Sequence, residues 1–105
     1  MTCETIFKCR DTHQNGFKIY AILDGQFLNF KDSQEKLINK EELLLTDLKL
    51  YEEGDKIDVI GGEKNRNFCI SLYLEPELRK YLLKEVSHRR ELAERISLEL
   101  KQLKF

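Results

Sequence analysis

The sequence predicts an α+β protein in which a small, five-stranded, partly open β-barrel is followed by one long C-terminal helix. All five glycines lie at or before Gly62, and the single proline is Pro76. Glycine supplies the tight turns that connect short strands, whereas nothing of this kind interrupts the chain after the proline. We therefore expect a β-module over residues 2–75 and a helix over residues 76–105.

Alternating runs near the N-terminus predict the first three strands, over residues 4–11, 17–23 and 26–31. The second run alternates with a period of two, as in a strand with one buried face, and this places Tyr20 on the outward face. Asp24-Gly25 between apolar runs is typical of a type I′ turn, in which both central residues have positive φ. The residues of the second strand that should face inward are Phe17, Ile19, Ala21 and Leu23.

The middle of the module predicts a short helix and two further strands. Asp32 can cap a helix, because a glutamate follows three residues later and apolar residues recur at roughly helical spacing over residues 37–45. Residues 48–51 form at most a short extended piece. Strands then follow over residues 56–60 and 67–74. Five strands with a helical insertion after the third match a small barrel.

The tail predicts a helix that is longer than the module can cover. An unbroken helix of this length spans about 43 Å, against a barrel face of ~20 Å. Either the chain folds back at Ser87, or the distal apolar stripe packs on a second copy or on another protein. Dimerisation is favoured, because a turn without Gly, Pro or Asn would be unusual. The stripe consists of Leu92, Ile96, Leu100 and Leu103.

Basic residues cluster in the first two thirds of the tail. Glu85, Glu91 and Glu94 lie close by in sequence, so a solvated face with exposed ion pairs accounts for the cluster better than phosphate binding does. The basic residues are Arg79, Lys80, Lys84, Arg89 and Arg90.

Composition excludes a protein that binds polyanions through bulk charge. The formal net charge is −1, with 35% charged and 41% hydrophobic residues, which is typical of a globular protein. The tail carries eight Lys and Arg against five Glu, or +3, so residues 1–75 carry −4. Three cysteines without a CxxC pair, and Glu4 where a signal peptide would be basic, favour a cytoplasmic protein. No apolar run approaches the roughly 18 residues of a membrane span.

No catalytic or cofactor motif is visible, so we expect neither an enzyme nor a cofactor. Cys9 and His13 supply two possible zinc ligands, whereas a structural zinc site needs four. A Cys/His pair would also need an orienting partner and an oxyanion donor, and neither can be identified. Cys9 and Cys69 are expected to be partly buried, small apolar residues.

The second half of the module carries a family resemblance. Gly54-Asp55 opens a strand of alternating aliphatic residues, Asn65-Arg66 makes a polar turn, and Ile70-Ser71-Leu72 lies in the closing strand. This order resembles an oligonucleotide-binding (OB) barrel of the S-one RNA-binding type, over residues 5–74. The resemblance implies an OB/SH3-like barrel that binds single-stranded nucleic acid across strands two and three, by aromatic stacking and basic contacts.

Basic and aromatic residues are interleaved in the first three strands, as such binding requires. Phe17, Phe27 and Phe30 are better explained as core residues, which leaves the outward-facing Tyr20 as the best stacking platform. The candidate binding residues are Lys8, Arg10, Lys18, Tyr20, Lys31 and Arg66.

The segment from the last strand into the tail also resembles a ribbon-helix-helix repressor. A strand ends just before Pro76, and an amphipathic helix, a turn and a second helix would follow. In that family the outward strand residues enter the DNA major groove, which would nominate Cys69, Ser71 and Tyr73.

The sequence therefore predicts a non-catalytic binding module, a small regulatory protein that binds single-stranded nucleic acid, RNA rather than DNA. The alternatives are a protein–protein adaptor or inhibitor that acts through the barrel and the helix, and a ribbon-helix-helix-like DNA-binding regulator. In each case we expect a homodimer formed through the C-terminal helix.

Overall fold

The described part of the chain is an α+β fold with six strands and one long helix. The structure, a computed structural model, describes residues 4–10, 18–39 and 41–102, with Lys18 placed by its backbone alone. The strands are β1 (Glu4–Arg10), β2 (Lys18–Asp24), β3 (Phe27–Lys31), β4 (Leu48–Glu53), β5 (Lys56–Gly61) and β6 (Cys69–Tyr73); the helix is α1 (Pro76–Gln102), and 3-10 turns cover Leu45–Asp47 and Glu63–Asn65.

The strands form one antiparallel sheet in the order β3-β2-β1-β6-β5-β4. It consists of two three-stranded meanders joined where the first strand meets the last. Within residues 4–10 and 41–102, that junction is a single pair, Arg10 opposite Tyr73. Because β3 and β4 are the two edges of this order and do not pair with each other, the sheet is open and the barrel is not closed.

The expected count of five strands is wrong because β4 is a full strand. It pairs with β5 along its whole length, from Leu48 opposite Gly61 to Glu53 opposite Lys56. Its C-terminal half is acidic and exposed, which gives a weak local strand signal. Strand formation here is decided by pairing with the neighbour, and intrinsic preference contributes less.

The expected helix after β3 does not form. The Asp32 carboxylate accepts hydrogen bonds from the backbone N–H groups of Gln34 (2.8 Å) and Lys36 (3.0 Å), which makes a local turn in place of a helix cap. Farther along, the chain runs beside β3: Ile38 N–H bonds to Phe30 C=O, and Leu43 C=O accepts from Leu28 N–H. The segment thus satisfies the backbone of an edge strand, which would otherwise be a site for aggregation.

The turn between β2 and β3 also differs from the expectation. Asp24 pairs with Phe27, so the two turn residues are Gly25 and Gln26. Gly25 has φ of 58°, whereas Gln26 does not have positive φ. This matches the φ requirement of a type II′ turn, with glycine at the first central position, and the predicted type I′ turn is wrong.

One face of the sheet carries the core, and the inward half of the expected alternation is confirmed where the structure describes it, whereas Ile22, expected on the outward face, is buried as well. Ile19, Ala21 and Leu23 of β2 are buried, as is Leu72 of β6; Phe17 lies outside the described residues. Phe30 packs on Phe68 with ring centroids 5.5 Å apart, so Phe30 is a core residue as expected.

Helix α1 is continuous through Ser87, which excludes the alternative of a chain that folds back there. Its first half lies on the core through Leu82 and Val86, both buried, and the Tyr81 ring contacts Phe7 at a centroid distance of 5.7 Å. From Glu91 to Gln102 every side chain is exposed except the half-buried Ala93. The distal half is therefore an arm that extends beyond the sheet.

Three arginines of the basic cluster fix the helix to the sheet. Arg79 donates to the carbonyls of Leu74 and Asp55, and Arg90 donates to those of Leu45 (2.9 Å) and Leu48. Burial lowers the pKa of the Arg90 guanidinium. The prediction that the whole cluster is a solvated face is therefore wrong for these side chains.

The third of these arginines anchors the far end of the docked half. Arg89 donates to the Gly25 carbonyl (2.7 Å) and to the Glu85 carboxylate (3.0 Å). Gln26 in turn donates to the Arg89 carbonyl (2.8 Å). The β2–β3 turn and the middle of the helix are thus tied together in both directions.

Gly61→Ala is expected to destabilise the protein strongly, because the β5–β6 connection passes close to this glycine. A Cβ at position 61 would lie 1.9 Å from the backbone oxygen of Asn65, so the backbone must shift. We expect a loss of about 2–4 kcal/mol in the free energy of unfolding, measured by urea titration. A loss below ~0.5 kcal/mol would show that the two segments do not approach so closely.

The two described cysteines should differ sharply in reactivity, since Cys9 is buried and Cys69 is exposed. Burial raises the pKa of the Cys9 thiol to about 12, so the reactive thiolate is scarce at pH 8. In a Cys3→Ser background, a maleimide should add once to the folded protein and twice in urea, as read by intact mass. Two additions to the folded protein would contradict the burial of Cys9.

Candidate nucleic-acid interface

The sheet face opposite the core brings together most of the predicted binding residues. Lys8 of β1 lies opposite Tyr20 of β2, and Tyr20 lies opposite Lys31 of β3. With strands ≈ 4.8 Å apart, this row is about 10 Å wide, with an aromatic ring between two cations. We call the set Lys8, Arg10, Lys18, Tyr20 and Lys31 the basic patch.

A second row lies next to the first and crosses the junction of the two meanders. Lys18 is opposite Arg10, Arg10 is opposite Tyr73, and Tyr73 is opposite Lys56. Lys56 forms an ion pair of 3.6 Å with Asp58. The position of Tyr73 beside these cations could not be predicted from the sequence, because the pairing of the first strand with the last leaves no local signal.

Three cations of the basic patch, Lys8, Arg10 and Lys31, form no ion pair with a carboxylate in the part of the chain that the structure describes. Ion pairs do occur elsewhere in the chain. The nearest acid along β1 on the same face is Glu4, four residues from Lys8, or about 13 Å. This exceeds the Debye length of about 8 Å at physiological ionic strength, so Glu4 screens Lys8 only weakly. Two other carboxylates, Asp55 and Glu75, line one cleft together with Lys8 and Arg10.

Tyr20 is half-buried, so one part of its ring is packed and the other is accessible. A ring held in this way loses little side-chain entropy when a base stacks on it. Phe7 and Phe30 lie in the core, and Phe27 is half-buried near the β2–β3 turn. Of the aromatic residues that the structure describes in β1, β2 and β3, Tyr20 is therefore the one within the basic patch.

Arg66 is separate from the basic patch. It follows the 3-10 turn between β5 and β6, at the end of β6 away from Tyr73. There it lines a cleft of ≈ 430 Å³ together with Lys64 and Phe68. The structure thus brings Lys8, Arg10, Tyr20 and Lys31 onto one face, with Lys18 opposite Arg10 by backbone register, and leaves Arg66 elsewhere.

The distal stripe of α1 is uncovered in the single chain. Leu92, Ile96 and Leu100 are 45%, 50% and 59% exposed, and Leu103 lies outside the described residues. Leu98, 58% exposed, lies on the opposite side of the helix and was not predicted as part of this surface.

The features that the ribbon-helix-helix resemblance implies do not occur in the described part of the chain. The ribbon strand must be free to pair with a second copy, but β6 is paired on both sides, with β1 and β5. A turn and a second helix must follow, but α1 is a single helix. Ser71 also donates to the Asp58 carboxylate at 2.6 Å, within the sheet.

Over residues 4–10, 18–39 and 41–102, no three His, Cys, Asp or Glu side chains are grouped so that they could hold a metal ion. His13 lies outside this range, so the Cys9–His13 pair is not described. None of the described helices is both long and apolar enough to span a membrane. Comparisons of the chain with protein-family models, with curated proteins and with solved structures find no match.

Proposed function

We propose that this protein is a non-catalytic, regulatory binding protein that takes up single-stranded nucleic acid on the basic patch. The observation that carries the proposal is the row Lys8–Tyr20–Lys31, which three adjacent strands align on one exposed face. Binding of single strands without strong sequence preference needs a cationic track for phosphates and rings for bases, and the patch offers both.

The resemblance to S-one-type OB barrels supports the same surface and favours RNA over DNA. In such barrels the bases stack across neighbouring strands of an exposed sheet face. The proposed mode of binding depends on that face and does not require the sheet to close. An OB relationship for this six-stranded open sheet is itself part of the proposal.

Fluorescence anisotropy with labelled single-stranded RNA and DNA, over a salt series, tests the proposal. Each phosphate contact to a single strand contributes about −0.7 to the slope of log K against log salt, so three contacts give about −2. We expect saturable binding with a slope of this size, and tighter binding of RNA. Absence of a signal at tens of micromolar protein would refute the proposal.

A second function is favoured by the exposed arm of α1: association through the distal stripe, as a homodimer or with a protein partner. Leu92, Ile96 and Leu100 lie on one side of the helix, which is the i, i+4 pattern of a helix–helix contact. The distal half of α1 makes no described contact with the sheet that would cover this stripe.

Ile96→Asp is expected to convert the dimer into a monomer, because an aspartate in the middle of the stripe would be desolvated on association. Light scattering of the purified protein measures the mass directly. Leu98→Asp is the matched control, since Leu98 is similarly exposed but lies about 200° around the helix from Ile96. An Ile96→Asp protein that keeps the mass of a dimer would contradict association through this stripe.

A further inference from the structure

A groove opens next to the basic patch where β1 and β6 separate. Among the described residues, the two strands pair only at Arg10 and Tyr73. Continuing the register would place Cys9 opposite Leu74, but Leu74 N–H bonds instead to the Asp55 carbonyl (3.4 Å). The chain then turns away into α1. The space left between the strands has a volume of ≈ 460 Å³.

The lining of this β1–β6 groove combines an apolar floor with a charged rim. Cys9 and Leu74 are buried, and Leu78 from the first turn of α1 adds a partly exposed apolar side chain. The cations Lys8 and Arg10 line the side that faces the basic patch, and Tyr73 lies next to Arg10. The rim also includes the acidic residues Asp55 and Glu75. The groove is thus continuous with the basic patch through two of the residues that form it.

One wall of the groove is held in place before any ligand binds. The Arg79 guanidinium donates to the Leu74 and Asp55 carbonyls and to the Glu52 carboxylate (3.2 Å). These contacts fix the start of α1 against the β4–β5 turn. A preformed site loses less conformational freedom on binding than one that must order itself.

The chemistry of the groove matches a single nucleobase with its phosphate. A base has two apolar faces and a polar edge, and its volume suits a cleft of the size that small ligands occupy. The floor can contact a base face, Tyr73 supplies an aromatic ring, and Lys8 and Arg10 lie where the attached phosphate would need cations. A free anion would not use the apolar floor.

We propose that the β1–β6 groove accepts one unstacked nucleobase of the single strand that crosses the basic patch. This inference rests on the proposed function and adds to it a discrete one-base subsite. The remaining bases of the strand stack on or pass over the exposed sheet face, whereas this base inserts beside Leu78. Binding therefore depends on one position of the oligonucleotide more than on its neighbours.

Oligonucleotides that lack one base test the subsite. A series of short RNAs, each with a single abasic position, is titrated against the wild-type protein and against Leu78→Trp, which fills the groove. For the wild type, one abasic position should weaken binding at least fivefold more than the others, in line with the energy of one base contact. For Leu78→Trp, intact RNA should bind at least fivefold more weakly, and that abasic position should have no further effect.

The salt slope of Leu78→Trp should match that of the wild type, since its phosphate contacts are intact. Leu98→Trp, on the exposed arm, is the control. If Leu78→Trp does not fold, Leu78→Phe replaces it; this variant fills less of the groove and should show the same trend. Two results would refute the subsite and leave the proposed function standing. One is wild-type binding that is weakened equally by every abasic position; the other is an unchanged affinity for intact RNA in both Leu78→Trp and Leu78→Phe. Failure of the wild type to bind any oligonucleotide would refute both.

Discussion

Reversing the charge at both Lys8 and Lys31 is expected to weaken single-strand binding about a hundredfold at low salt, because each substitution replaces an attraction to phosphate with a repulsion. The slope of log K against log salt should become shallower by about 1.4, which is twice the contribution of one phosphate contact. Both quantities come from one anisotropy titration repeated at several salt concentrations. Neither lysine forms an ion pair with a described residue, so the fold should survive.

Lys80→Glu with Lys84→Glu is the matched control for that experiment. It changes the net charge by the same amount, and both side chains are exposed on α1, away from the basic patch. The control should lose affinity only weakly, through the long-range field. Equal losses in the two double variants would show that net charge, and not the patch, determines binding.

Leu82→Ala is expected to have the largest effect on stability. Leu82 is fully buried between α1 and the sheet, and truncating such a leucine costs about 2–5 kcal/mol through lost burial and the remaining cavity. Domains of this size have total stabilities of about 5–15 kcal/mol, so the loss is a large fraction. The urea midpoint should fall accordingly, with little change in the slope of the transition.

Leu98→Ala on the same helix separates burial from helix propensity. Leucine and alanine are both good helix formers, and Leu98 is exposed, so its truncation should change the free energy of unfolding by less than about 0.5 kcal/mol. If the two variants were equally stable, the helix would not be docked through Leu82. The protein would then consist of a sheet with a loosely attached tail.

The parts of the fold that could be predicted are those with a strictly local signal. Pro76 marks the start of α1, because a proline is tolerated only in the first turn. The alternation of Ile19 and Ala21 with Tyr20 predicts which face of β2 is buried, and hence that Tyr20 lies on the other face. In each case neighbouring residues along the chain carry the information.

Other features depend on residues that are distant in sequence. The leucines after Asp32 fit a helical period, but the same segment is needed along the edge of β3, and pairing there prevails over propensity. Arg90 was expected to be solvated, but its guanidinium donates to the backbone carbonyls of Leu45 and Leu48. A backbone carbonyl has no signature in the sequence, so such a contact cannot be recognised in advance.

The candidate site shows the same division. The cations and Tyr20 could be selected from strand alternation, but their alignment into rows depends on the registers between strands. The nearness of Tyr73 to Arg10 and the groove beside them follow from the pairing of the first strand with the last. No local pattern specifies that pairing.

An NMR titration of the isotope-labelled protein with a short single-stranded RNA tests the central claim most directly, since it reports every backbone amide at once. We predict that the largest shift changes occur at Lys8, Arg10, Tyr20 and Lys31, with little change in the distal half of α1. Changes confined to the distal helix, or spread evenly over the surface, would show that the exposed face of β1–β3 does not bind single-stranded nucleic acid.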